Sequence, residues 1–142
     1  MRRVHGLPAI AVLDMGDFVG GTLKYLRRRP VPRLTLAGGF AKLGKLAAGA
    51  MDLHSGRSQV DFAFLVDLAR GCGAEEALAT ALAGAGTALR ALELATAAGV
   101  PLADAVARRA REVARAVAGE AIAVEVLVVD RAGGIVGRAP GW

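Results

Sequence analysis

The sequence has a single cysteine, Cys72, in 142 residues. A disulfide framework within the chain is therefore excluded, and the composition suits a reducing compartment, the cytoplasm. Cys72 lies between Gly71 and Gly73 without a CxxC partner. It reads as a packed or incidental thiol at a helix end. Aromatic residues make up only 4% of the chain, so the core must be built from Ala, Leu and Val. Tyr25 and Trp142 are too isolated to form a stacking platform for bases, which argues against nucleic acid as a partner. No apolar run approaches the roughly 20 residues of a membrane span. Residues 8–13 are too short for a signal-peptide core, and Asp14 ends them. Histidine is scarce as well: His5 and His54 fit no zinc motif, and no metal site is expected.

What remains is the composition of one globular domain, 54% hydrophobic and 22% charged. The net charge is +5, with Arg27, Arg28 and Arg29 in one run. Cations there complement the dipole at a helix C-terminus, so the run reads as a solvated helix end.

The pattern along the chain predicts an α/β fold. Residues 9–13 are a short apolar run that reads as a buried strand. Residues 18–29 read as a helix stopped by Pro30 and Pro32. A second strand over 33–36 and a second helix over 41–51 follow, the latter with Leu43, Leu46, Ala47 and Ala50 on one face. Strand–helix–strand–helix at this spacing implies a parallel sheet. Ser58 is a candidate cap for a helix over 59–70 that is apolar nearly all round. Gly84 and Gly86 divide residues 75–98 into two helices. Pro101 opens a helix over 102–118, with Leu102, Val106, Val113 and Val117 as its stripe and Asp104, Arg108 and Glu112 facing solvent. Alternation from Ile122 to Val128 marks the clearest strand, and a turn at 130–134 makes a C-terminal β-hairpin. The chain thus reads as a single α/β domain over 1–142 with a helical middle.

Three places could carry chemistry. In open α/β sheets, ligands gather where strands run into helices. Gly16, Asp17 and Gly20 lie in the first such turn, where glycines admit a ligand to the backbone and the acid favours a cationic or hydroxylated group. The alternative is a plain turn with Asp17 as helix cap. The second turn, at Gly38 and Gly39, combines exposed amides with Lys42 and Lys45 and suits an anion. The third is Asp52-Leu53-His54-Ser55, where a carboxylate, an imidazole and a hydroxyl could do acid–base work. Its alternative is a capped loop after a helix.

The run Met15-Gly16-Asp17-Phe18-Val19-Gly20 resembles the MGDFVG segment of the CbiD family of cobalt-precorrin-5B methyltransferases. Lys42-Leu43-Gly44-Lys45-Leu46-Ala47-Ala48-Gly49, followed by Asp52-Leu53-His54-Ser55, is similar to that family's next motif, in the same order. Residues 124–131, with Gly137 beyond the turn, resemble its closing hairpin. Two departures stand out. Gly86-Thr87 stands where the family shows Asn-Thr, and the threonine- and glycine-rich segment and further domain that precede MGDFVG in the family are absent.

The resemblance implies transfer of a methyl group from S-adenosylmethionine to carbon 1 of cobalt-precorrin-5B, in cobalamin (vitamin B12) biosynthesis. It implies a C-terminal fragment of a longer enzyme, with an incomplete active site and the N-terminal half as its missing partner. A homo-oligomer is a further partner expectation. Asp52 and His54 are then expected to be catalytic, with His54 as the base. Gly16, Asp17 and Gly20 are expected to bind the methyl donor, and Gly38, Gly39, Lys42 and Ser55 the substrate, whose carboxylates suit the basic charge. Two rivals remain open: a non-catalytic binding or assembly domain, and a small anion-binding enzyme built on the Gly38-Gly39 turn.

Overall fold

The structure, a computed structural model, describes residues 2–142. It is a mixed α/β arrangement in which a small sheet lies against a helical layer. The chain opens with one helical turn, α1 (Arg2–His5), and a 3-10 turn at Ala9–Ala11. Then come α2 (Val19–Arg28), β1 (Arg33–Gly39), α3 (Phe40–Ala47), α4 (Phe62–Gly71), α5 (Glu76–Ala83) and α6 (Ala88–Ala97). The long helix α7 (Leu102–Ala118) precedes β2 (Ala123–Val129) and β3 (Ile135–Ala139).

The sheet order is β1-β2-β3. β1 pairs with β2 in parallel from Arg33↔Ala123 to Gly39↔Val129. β2 and β3 form the expected antiparallel hairpin, with an irregularity at Val128/Val129. The parallel pair is therefore made by β1 and β2. The apolar run 9–13 is not a strand: Ala11 and Val12 donate to the Pro8 and Ala9 carbonyls at 3.0 and 3.1 Å, and no residue of that turn is buried. Pro8 has φ −65, which suits a tight turn, and apolar character alone supplied no strand for the run to pair with.

The core lies between α7 and the elements around it. Val124, Val126 and Val128 of β2 meet α7, whose buried face is Leu102, Val106 and the alanines Ala103, Ala107, Ala110, Ala114 and Ala118. Val113 and Val117, expected on this stripe, are only partly buried. Alanine lacks the bulk to mark a face in the sequence, but it lets α3, α2 and the sheet approach closely. Arg108 and Glu112 are exposed, but the expected pairs do not form: the half-buried Asp104 carboxylate accepts from the Arg138 amide at 2.8 Å, and Glu112 pairs with Arg109 at 2.9 Å.

Two helix ends differ from expectation. α4 begins at Phe62 and its cap is Asp61, not Ser58, with the Asp61 carboxylate accepting from the Phe64 amide at 2.9 Å. α3 ends at Ala47, four residues early. Gly49, at φ +103, donates to the Leu46 carbonyl, and the Ala50 amide donates to Lys45. This is a Schellman motif, and its left-handed position favours glycine. It turns residues 50–55 back toward α2. Gly84 and Gly86 do separate α5 from α6, and Thr87 caps α6 through the Arg90 amide at 3.1 Å.

Candidate functional site

The reversal at Gly49 brings the first and third candidate segments together. The Gly20 amide donates to the Met51 carbonyl at 2.9 Å, and the Leu53 amide donates to the Asp17 carbonyl at 3.1 Å. A Cβ on Gly20 would lie 2.7 Å from Met51 Cβ, so only glycine permits this approach. Gly20 is buried and its amide is occupied. Its observed work is to join the two segments. Gly16 is exposed at φ +55, with its amide donating to Asp14 Oδ1.

Asp17 does not cap α2; Phe18 holds the cap position without a side-chain bond. Instead the Asp17 carboxylate faces α3, where Oδ1 lies 2.9 Å from Lys42 Nζ. Lys42 meets it as an ion pair, without the alignment of a hydrogen bond: among the described residues Oδ1 is the one buried side-chain atom left without such a bond. The Lys42 ammonium beside it holds the Asp17 carboxyl below its ordinary value, against the opposing effect of burial, with His54 and Lys45 adding to the lowering. Asp17 and Lys42, expected from the sequence to meet different ligands, thus form an ion pair with each other.

Gly38 and Gly39 are not a loop. They are the last residues of β1, and α3 starts directly at Phe40 with Gly39 at its cap position. A Cβ on Gly39 would meet nothing within 4 Å, which leaves the amides at the start of α3 approachable from that side. The separate anion loop expected there is absent because the strand continues three residues past Leu36.

The 52–58 loop is locally tied. Asp52 Oδ1 accepts from the His54 backbone amide at 3.0 Å, and Oδ2 lies 3.6 Å from Arg57 Nε. Asp52 therefore does not orient the imidazole; it closes a turn, as in the capped-loop alternative. His54 Nδ1 accepts from the Gly56 amide at 3.1 Å. A neutral ring in that arrangement carries its proton on Nε2, so His54 presents a donor, and its basic lone pair is occupied. Ser55 is exposed and its carbonyl accepts from Gln59 at 2.7 Å.

Two buried charged residues take roles that the sequence did not show. Lys45 is 8% exposed, and its ammonium donates to the Leu53 carbonyl at 3.3 Å with no carboxylate in salt-bridge range among the described residues. The sequence placed Lys45 with Lys42 as a partner for an anion, and its spacing of two and one from Leu43 and Leu46 does not put it on their helix face. The other is Glu125, 1% exposed in the middle of β2. Its Oε1 accepts from Arg138 at 2.6 and 2.9 Å, and its Oε2 accepts from Thr35 at 3.0 Å and meets His5 Nε2 at 2.6 Å. Burial pushes the Glu125 carboxyl up, but the Arg138, His5 and Thr35 donors outweigh it and leave it below its ordinary value. The Trp142 ring lies tilted beside His5, with centroids 5.6 Å apart, and the Arg33 guanidinium is 5.2 Å over it.

The surface made by Asp17, Lys42 and His54 is open. A depression of about 230 Å³ lies elsewhere, lined by residues including Thr96, Pro101, Asp104 and Val136. No helix among the described residues is long and apolar enough to cross a membrane.

The family model described as "CbiD, C-terminal domain" matches residues 52–140, more than half of the chain. The chain belongs to the CbiD C-terminal domain family. It is 57% identical over 139 residues to a protein of Pseudomonas putida named cobalt-precorrin-5B C(1)-methyltransferase. Proteins of the same name from Paramagnetospirillum magneticum and Pseudomonas fluorescens are 56% identical over 140 residues and 53% identical over 142. These alignments take in 98% to 100% of the chain but 38% or 39% of each relative. The chain thus spans less than two-fifths of the length of the curated relatives it matches. No solved structure matches it.

Proposed function

We propose that this chain forms the C-terminal part of an S-adenosylmethionine-dependent enzyme that methylates carbon 1 of cobalt-precorrin-5B in cobalamin biosynthesis. On this reading the chain alone supplies part of an active site. The observation that carries the proposal is the junction of the two motif segments, with Gly20 bonded to Met51 and Leu53 to Asp17, because it gathers Asp17, Lys42 and His54 onto one surface.

Methyl transfer is an in-line displacement whose main demand is that two ligands be held in line. The methyl donor would supply the electrophilic methyl carbon. Asp17 and the exposed Gly16 backbone suit its cationic and hydroxylated groups, with Gly20 keeping that segment in place. Substrate carboxylates suit Lys42, the amides that follow Gly38 and Gly39, the Ser55 hydroxyl and the Nε2–H of His54. In this reading His54 acts first as a donor to substrate. Service as a base requires its Nδ1 bond from Gly56 to open, and Asp52 acts by shaping the turn.

The test uses cobalt-precorrin-5B and labelled S-adenosylmethionine. The full-length Pseudomonas putida relative is expected to transfer the label, and this chain alone is expected not to. Turnover by the chain comparable to the full-length relative overturns the partial-site reading. Absence of transfer by the relative overturns the assigned reaction.

A second reading, a non-catalytic assembly domain, draws on the apolar side chains displayed by residues 10–18.

A further inference from the structure

Residues 6–18 form an arch that is anchored at both feet, with Leu7 and Met15 half-buried and the turn between them exposed. At one foot His5 is held 2.6 Å from the buried Glu125 and packs against the tilted Trp142 ring. At the other foot the Asp17 carbonyl accepts from Leu53. The crown is the 3-10 turn, which buries nothing. Ile10 is 88% exposed, Leu13 85% and Phe18 74%, with Val12 also exposed. Single exposed apolar residues are ordinary, but four within nine consecutive positions make a patch.

We propose that this arch is the docking surface for the N-terminal portion of the full-length enzyme, and that this portion roofs the surface of Asp17, Lys42 and His54. The occupant follows from chain length and position. The matching family is a C-terminal domain, and the relatives are 38% to 39% covered, so the bulk of their remaining chain lies on the N-terminal side. That chain is tethered next to the arch in sequence, which gives it an effective concentration that a second copy lacks. The charged groups within the arch are Asp14 and Asp17 alone. The complementary face is therefore apolar with a basic rim. Phe18 directly follows Asp17, so the arch ends at the candidate site.

The inference rests on the chain's being part of a longer enzyme, and its test does not read methyl transfer. Hydrogen exchange of the amides of residues 8–14 is compared between this chain and the aligned stretch of the full-length Pseudomonas putida relative. Exchange at least ~10-fold slower in the full-length protein is expected, because docking closes a segment that otherwise opens freely. Aspartate is then placed at positions 10, 13 and 18 of both proteins. The thermal midpoint is expected to fall in the full-length protein and to hold or rise in this chain, where those side chains are largely exposed and position 18 caps α2. Failure of the full-length variant to fold while the variant of this chain folds supports the proposal equally. Equal exchange in the two proteins overturns it, as does a full-length midpoint indifferent to the three aspartates. A discrete dimer of this chain that the aspartates dissociate, with the full-length protein unaffected, assigns the arch to a second copy and also overturns it.

Discussion

His5 Nε2 stands 2.6 Å from Glu125 Oε2, although 120 residues separate them in the chain. The contact closes the back of the sheet. Glu125 alternates with Val124 and Val126, so its side chain leaves the face that packs on α7 and meets donors from β1, β3 and the N-terminal turn. A carboxylate this deep is tolerated because each oxygen has partners.

Glu125→Gln keeps the shape and removes the charge. At pH 7 it is expected to cost about 1.5–3 kcal/mol, the range for hydrogen bonds to a charged group. The folded-state carboxyl is depressed, so its contribution is present above the ordinary value of 4.5 and is lost as pH falls through the folded value. Urea unfolding from pH 7 downward should therefore show parent and variant converging below pH 4.5. A constant gap across that range contradicts the assignment.

Gly20→Ala tests the junction of the two motif segments. The new Cβ would press on Met51 Cβ and on the Met51 carbonyl. Overpacking of this kind costs roughly 1–3 kcal/mol. Thermal unfolding should show that loss, and exchange of the Leu53 amide should quicken as its bond to Asp17 loosens. Gly21→Ala, whose Cβ would meet nothing within 4 Å, is the control: it should leave Leu53 exchange unchanged and hold or raise stability, by up to about 1 kcal/mol of helix propensity.

Much of the fold was legible because its signals are local. Alternation marks β2, glycines separate α5 from α6, and Pro101 opens α7 where expected. The misses come from neighbours distant in sequence. Residues 9–13 have the composition of a buried strand, yet burial depends on a partner strand, which composition does not reveal. Glu125 reads as the outward side of an alternating strand until Arg138, Thr35 and His5 are brought to it from three directions. Val113 and Val117 outweigh alanine on a hydropathy stripe, but the helix packs on its alanines because close approach gains more contact there. At the candidate site, the sequence supplied the segments and the family. It could not show that Asp17 pairs with Lys42, or that Asp52 bonds the His54 backbone and leaves the ring alone.

That last geometry separates the roles of Asp52 and His54. In a full-length relative, Asp52→Asn keeps an oxygen to accept from the backbone amide, so activity is expected within about threefold of the parent. Asp52→Ala opens the turn and should lower activity together with stability. If His54 serves as a base after its Gly56 bond opens, His54→Ala should cost ~10²-fold or more in kcat with an altered pH profile. If it serves only as a donor to substrate, His54→Gln should restore most of the activity and the loss should fall on KM. A fully active, stably folded His54→Ala variant removes the residue from the site.

Lys45 offers the sharpest separation of structure from function. Its ammonium is buried with one acceptor, the Leu53 carbonyl, and no carboxylate in salt-bridge range among the described residues. Removing such a charge from the interior commonly leaves stability unchanged or raises it, because the desolvation cost disappears. Methionine has a similar length and no charge. Lys45→Met is therefore expected to hold or raise the melting temperature of this chain, by ~2–5 °C if the gain is about 1 kcal/mol. The same change releases the Leu53 carbonyl, which lies one residue from His54, and takes a positive neighbour from Asp17. In a full-length relative it should cost ~10-fold or more in kcat/KM, since small displacements of positioning groups have large effects on rate. Opposite signs for stability and activity would mark a residue kept for the site at the expense of the fold. A fall in melting temperature would instead show that its hydrogen bond to Leu53 outweighs the burial of charge, and Lys45 would then be a structural residue.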